Sequence, residues 1–218
     1  MNRVKIIKKN VKNLTLKVKP SCEVILVAPY FVDDATLNNF IKKHKNWIQK
    51  KVEFFKSKQI FSKKYVNGED FYYLGKKYIL KIIESKDEKI EIDIKYCYLM
   101  TKDKDNFNKK EKIVKKWYKQ KAKEIFYEII TKYQSIVQKD ISKITIREMK
   151  TRWGSCNYQK GYINLNLELI KKPIFAIEYV IFHELTHLIY PNHSKAFYDY
   201  IKIHMPDWKQ RKNALKEM

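Results

Sequence analysis

The sequence predicts an α+β fold in two parts: a β-rich N-terminal part with one helix, then a small sheet with a hairpin, an apolar helix and a following helix. Three patterns carry this reading. Stretches such as "LTLKVK" (14–19) and "KIEIDIKYCYLM" (89–100) alternate apolar and polar residues, the period of a half-buried strand. The segment "EKIVKKWYKQKAKEIFYEIITKYQSIV" (111–137) repeats its apolar residues at helical spacing instead. Near the C-terminus, "YVIFHELTHLIY" (179–190) is largely apolar and is stopped by Pro191.

Taken in order, "RVKII" (3–7), "LTLKVK" and "EVILVA" (23–28) are expected as strands, the last ended by Pro29. A single helix follows from Asp33 or Asp34, with Asp34 or Thr36 as its cap, through Phe55. "VNGEDFYYLGKKYILKII" (66–83) reads as strands turned at Asn67-Gly68 and Gly75, and 89–100 as one further strand. The most polar stretch, 101–110, is the expected boundary between a domain of residues 1–105 and a second of 106–218. In the long helix beyond it, Ile113, Trp117, Ala122, Ile125, Ile129, Tyr133 and Val137 lie roughly on one side. "ISKITIREM" (141–149) is then a strand, and "TRWGSCNYQKGYINLNLELI" (151–170) a hairpin turning near Gln159-Lys160-Gly161, with Ile163, Leu165 and Leu167 on one face. Pro173 opens a helix running to about Tyr190, and a second helix from Ser194 or Lys195 ends before Pro206.

Composition narrows the function classes. At 44% hydrophobic content, 218 residues suffice for one substantial core or two small ones. The three cysteines, Cys22, Cys97 and Cys156, are odd in number and lack CxxC spacing, which argues against a disulfide framework and a cysteine-bound zinc. The lysine-broken N-terminus lacks the apolar core of a secretory signal, and the longest apolar run, 24–32, is too short to span a bilayer. A soluble cytoplasmic protein is the expectation. The net charge of +23 divides as +12, +6 and +5 over residues 1–66, 67–145 and 146–218, so most of it lies far in sequence from the C-terminal histidines. It admits a nucleotide or nucleic-acid partner, but only four of the 47 basic residues are arginine, and a merely solvated lysine-rich surface accounts for it better.

The chemistry concentrates in "HELTHLIYPNH" (183–193). A spacing of four puts His183 and His187 on one helical face, one turn apart, so both imidazoles reach one metal ion. Glu184, rotated by about 100° on the helix, flanks that ion as a base for a metal-activated water. A catalytic zinc takes three protein ligands, and His193, returning after Pro191 and Asn192, is the expected third. This is the ligand spacing of metzincin proteases, although Tyr190 stands where those carry glycine. Two histidines at helical spacing are often mere packing residues; against that, three of the five in this chain fall within eleven residues. An apolar helix also cannot leave ionisable groups unmet without a cost of about 2–7 kcal/mol each.

Together "KTRWGSCN" (150–157), "GYINLNLELI" (161–170), "YVIFHELTHL" (179–188) and "NHSKAF" (192–197) resemble the YgjP-like metallopeptidases, zincin-fold proteins similar to the SprT-like and WLM groups. The resemblance implies a zincin-like core and a metal-dependent hydrolase holding one Zn²⁺, with His183, His187 and His193 as ligands and Glu184 as catalytic base. Cleavage of amide bonds in a peptide or protein is the leading expectation. A metal-dependent nucleoside triphosphate pyrophosphatase and a basic, DNA-associated SprT-like protein are the alternatives. Arg152 is a candidate substrate-binding residue, since an arginine fork suits a carboxylate or phosphate. Trp153 and Cys156 are expected to pack. Tyr190, Tyr198 and His204 are possible oxyanion donors, and Asp199, Asn192 or Asn166 possible supports for a ligand histidine.

Overall fold

A computed structural model describes residues 4–19, 21–60 and 63–216, those of 56–60 by backbone alone. Arg3, at the start of the expected first strand, lies outside the described residues. Chain contacts divide the protein into two compact units, Met1–Lys63 and Lys64–Met218.

The first unit holds strands β1 (Val4–Lys9), β2 (Thr15–Val18) and β3 (Val24–Pro29) in the order β1-β3-β2. β3 runs parallel to β1 and antiparallel to β2. Its central position explains its unbroken apolar run, "VILVAP", which needs burial on both faces. Val24 packs with Ile48 and Val52, and Leu26 and Ala28 with Leu37. The expected single helix is in fact two, α1 (Asp34–Lys43) and α2 (Lys45–Ile60). His44 separates them: its Nδ1 lies 2.8 Å from the Phe40 carbonyl and its ring rests on the Phe40 ring, so the side chain satisfies an end-of-helix carbonyl. The N-cap is Asp33, not Asp34 or Thr36; its carboxylate accepts from the Thr36 amide at 2.8 Å.

The second unit begins with a sheet of order β4-β5-β7-β6, built from β4 (Asp70–Tyr73), β5 (Lys76–Glu84), β6 (Lys89–Ile92) and β7 (Tyr96–Thr101). The β4–β5 turn is Leu74-Gly75, both at positive φ, as a tight two-residue hairpin requires. Residues 89–100 make two strands rather than one, because the Asp93 carboxylate accepts from the amides of Lys95 and Tyr96 and folds the chain back. Helix α3 (Phe107–Val137) follows, capped by Asn106. It buries Val114, Tyr118, Phe126 and Ile130 beside Ile113, Ala122, Ile129, Tyr133 and Val137, while Trp117 and Ile125 lie at the margin.

These contacts place the division at 63/64 instead of 105/106. The sheet β4–β7 shares one core with α3 and everything after it, and the polar stretch 101–110 is only the turn into α3. Tyr118 donates to the Tyr72 carbonyl at 2.6 Å, and the buried Lys110 ammonium to the Tyr65 carbonyl at 2.8 Å. Polarity marked a turn there, not a linker.

A second sheet, β8 (Lys143–Arg147), β9 (Gly154–Asn157) and β10 (Tyr162–Asn166), has the order β8-β10-β9, with β9 at one edge. β10 pairs parallel to β8 and antiparallel to β9. The hairpin strand stops at Asn166, so Leu167 enters a 3-10 turn, Leu167–Lys171, instead of continuing the strand face. Then come α4 (Ile174–Thr186), α5 (Lys195–His204) and α6 (Trp208–Ala214), the last not anticipated from the sequence. α4 lies among α3, α5, α6, β9 and β10, which explains its nearly all-apolar sequence. No helix among the described residues is long and apolar enough to cross a membrane.

Candidate metal centre

His183 and His187 sit one turn apart at the end of α4, and His193 returns from the loop before α5. One ring nitrogen from each lies within 4.8 Å of the others. Nε2 of His183 and Nε2 of His193 are 3.0 Å apart. On a tetrahedral zinc with bonds of about 2.0–2.1 Å, two nitrogens stand roughly 3.3 Å apart. The cluster thus has the spacing of a ligand set.

α4 ends at Thr186, earlier than the expected Tyr190. The amides of Leu188 and Ile189 bond the carbonyls of Leu185 and Thr186, tightening the last turn. The turn brings the Tyr190 carbonyl 3.1 Å from Nδ1 of His187. Since a carbonyl only accepts, Nδ1 carries the proton and Nε2 keeps its lone pair, the tautomer a metal ligand needs. The support for this histidine is therefore a backbone carbonyl, not Asp199, Asn192 or Asn166.

Phe197 forms the floor. Fully buried, its ring centroid lies 4.9, 4.7 and 4.9 Å from those of His183, His187 and His193. Ser194 caps α5 and so sets where Phe197 enters. Burial, reinforced by His187 and His193, pushes the His183 pKa down to about 3, so this imidazole stays neutral, the form that ligates. Burial also lowers the His187 pKa, against the Tyr190 carbonyl. His183 Nδ1 is buried without a hydrogen-bond partner among the described residues.

Thr186 is accounted for without a metal, because its hydroxyl donates to the Phe182 carbonyl at 2.8 Å. Glu184 is not. It is 6% exposed, and no described residue donates a hydrogen bond to its carboxylate. Burial raises its pKa to about 8, with Arg152 pulling the other way. Gly154, the first residue of β9, faces it: a Cβ there would lie 2.6 Å from Glu184 Cγ and 2.7 Å from Oε1. Only a residue without a side chain fits between strand and carboxylate.

The loop leading to Gly154 is pinned by Asn166, whose side chain uses its full bonding capacity. Its Nδ2 donates to the carbonyls of Met149 and Arg152, both at 2.9 Å, and its Oδ1 accepts from the amides of Met149 and Glu168, both at 3.2 Å. Trp153 and Cys156 pack against the core. Arg152 is exposed. The Tyr198 ring stacks near His193 at 6.0 Å, whereas His204 packs on Phe182 and Tyr200 and Tyr190 on Tyr200.

The fold thus brings together the three imidazoles expected to share one centre, whereas Gly154, Phe197 and the part played by Asn166 were not anticipated from the sequence. The available hints were a glycine beside a tryptophan on a strand and a phenylalanine four residues after His193. Neither is interpretable without knowing which strand faces α4.

No curated protein matches the chain. Among solved structures it is similar to the metallopeptidase zymogen abylysin of Pyrococcus abyssi, at 19% identity over 41% of this chain and 90% of that one, with a TM-score of 0.38. It is similar also to the metallopeptidase zymogen jannalysin of Methanocaldococcus jannaschii, at 18% identity over 42% and 88%, with a TM-score of 0.38. A family model, the YgjP-like metallopeptidase domain, matches residues 12–218. The chain therefore belongs to the YgjP-like metallopeptidase family and is a metal-dependent hydrolase.

Proposed function

We propose that the protein is a zinc-dependent peptidase in which His183, His187 and His193 hold one ion and Glu184 is the general base. The observation that carries this reading is the meeting of three imidazole nitrogens within 4.8 Å, beside a buried carboxylate that no described residue hydrogen-bonds. Neutral imidazoles suit zinc, and an all-histidine set suits magnesium poorly, which favours peptide over phosphoryl chemistry. When bound, zinc supplies Lewis acidity, enough to polarise a carbonyl and bring the pKa of a water near 7.

The residues then divide the work. His187 is held in the ligating tautomer by Tyr190, and Phe197 keeps the three rings from spreading. Glu184, buried and hydrogen-bonded by no described residue, takes a proton from water at Oε1 or Oε2 and returns it to the leaving amine. β9, paired among the described residues with β10 alone, leaves an edge on which an extended peptide can add a strand.

Glu184→Gln tests the base. Turnover is expected to fall by about 10²-fold or more with zinc stoichiometry unchanged by elemental analysis. Full activity in this variant, or loss of its metal, contradicts the role. His193→Ala is expected to weaken zinc binding, and an unchanged affinity removes it from the ligand set.

A further inference from the structure

Arg152 is an exposed arginine whose guanidinium is unspent. Among the described residues no hydrogen bond or ion pair engages it, and none joins it to Glu184. By contrast Arg211 is committed to Glu178 and Asp207. Five donors in a planar fork are left facing solvent beside the site.

Its presentation is anything but loose. The Arg152 carbonyl accepts from Asn166 Nδ2 at 2.9 Å, and the next residue's carbonyl accepts from the Asn166 amide at 2.8 Å. Two residues further on, Gly154 touches Glu184. Two residues of chain span roughly 7 Å at most, so the backbone of Arg152 is held within that distance of Gly154. An arginine serving only to neutralise Glu184 would pair with it. This one is fixed in backbone, free in side chain and placed where β9 meets the catalytic carboxylate.

We propose that Arg152 binds a carboxylate of the peptide substrate carried close to the scissile bond, making the enzyme selective for anionic peptides. The inference rests on the peptidase reading. A bidentate guanidinium–carboxylate pair adds two charge-assisted hydrogen bonds and fixes orientation as well as affinity. The carboxylate has two sources, the C-terminus of a short peptide or an Asp or Glu side chain, and the chemistry at Arg152 is the same for both.

The test uses the zinc-loaded full chain and matched sets of short peptides, with cleavage read by mass spectrometry and kcat/KM measured on individual pairs. One arm compares free-acid with amidated C-termini; the other compares Asp and Glu with Asn and Gln beside the cut. The wild type is expected to favour the anionic member in at least one arm by roughly ten- to a hundredfold, expressed mainly in KM. The preference should fall to within about twofold in Arg152→Met and be restored in part by Arg152→Lys, which keeps the charge but not the fork. The arm that shows the preference names the source. Equal cleavage of both members by the wild type, or the same preference in Arg152→Met, overturns the inference and leaves the peptidase reading standing. A wild type that cuts no peptide of either set overturns the peptidase reading, and the inference falls with it.

Discussion

Gly154 and Glu184 are in contact across the gap between β9 and α4, so close that a Cβ on Gly154 would sit 2.6 Å from Glu184 Cγ. The strand backbone is thus one wall of the pocket that holds the carboxylate. It limits where Glu184 can stand relative to the three imidazoles.

Gly154→Ala forces that wall into Glu184. Overpacking of this kind costs about 1–3 kcal/mol, and a displacement of about 1 Å at a reacting group costs about 10²-fold in rate. The expected result is a modestly lowered melting temperature, a large loss of turnover and full zinc content. Activity close to wild type would show that the carboxylate position is not set by β9.

Asn166→Ala removes four hydrogen bonds at once and leaves the carbonyls of Met149 and Arg152 without their donor. A destabilisation of about 2–3 kcal/mol is expected in chemical denaturation. Asn166→Asp should be no better, since it sets a carboxylate oxygen against those two carbonyls.

Phe197→Ala opens a cavity under the imidazoles. Loss of a buried phenylalanine costs about 3–5 kcal/mol, and with the floor gone the three rings no longer share one centre. Zinc affinity, measured by competition with a chelator, should drop along with stability. Unchanged affinity would show that the imidazoles hold their geometry without it.

Glu178 ties three helices together, its carboxylate accepting from Lys132 of α3 at 2.7 Å and Arg211 of α6 at 2.6 Å. Burial opposes its charge, but the hydrogen bonds from Lys132 and Arg211 outweigh this and hold its pKa below the ordinary 4.5. With the folded pKa below the unfolded one, the stabilisation is fully present above pH 4.5 and is lost as pH falls through the folded value. Glu178→Gln should therefore be less stable than wild type by about 1–3 kcal/mol at neutral pH. That gap should close in acid. A gap that persists below the titration would assign the effect to packing.

The meeting of the three histidines was legible in the sequence because its geometry is local. Positions 183 and 187 share a helical face whatever surrounds them, and Pro191 dictates a break before His193. What escaped was set by contacts distant in sequence. Asn166 bonds residues 14 and 17 positions away, and Gly154 meets a helix 30 residues on. The strand reading of 89–100 failed at Asp93, because an alternating pattern looks the same whether or not a side chain bonds two amides ahead and reverses the chain. The single N-terminal helix failed at His44 for a similar reason, one side chain capping a carbonyl mid-stripe. The boundary expected at 105/106 rested on polarity, which marks exposure and does not distinguish a linker from a turn on a shared core.

The central claim is that His183, His187 and His193 surround one zinc ion. Anomalous diffraction from zinc-loaded crystals at the zinc edge tests it most directly. The expected result is a single strong peak with three imidazole nitrogens at about 2.0–2.1 Å. Absence of a peak among these histidines, or a peak elsewhere in the chain, would contradict it.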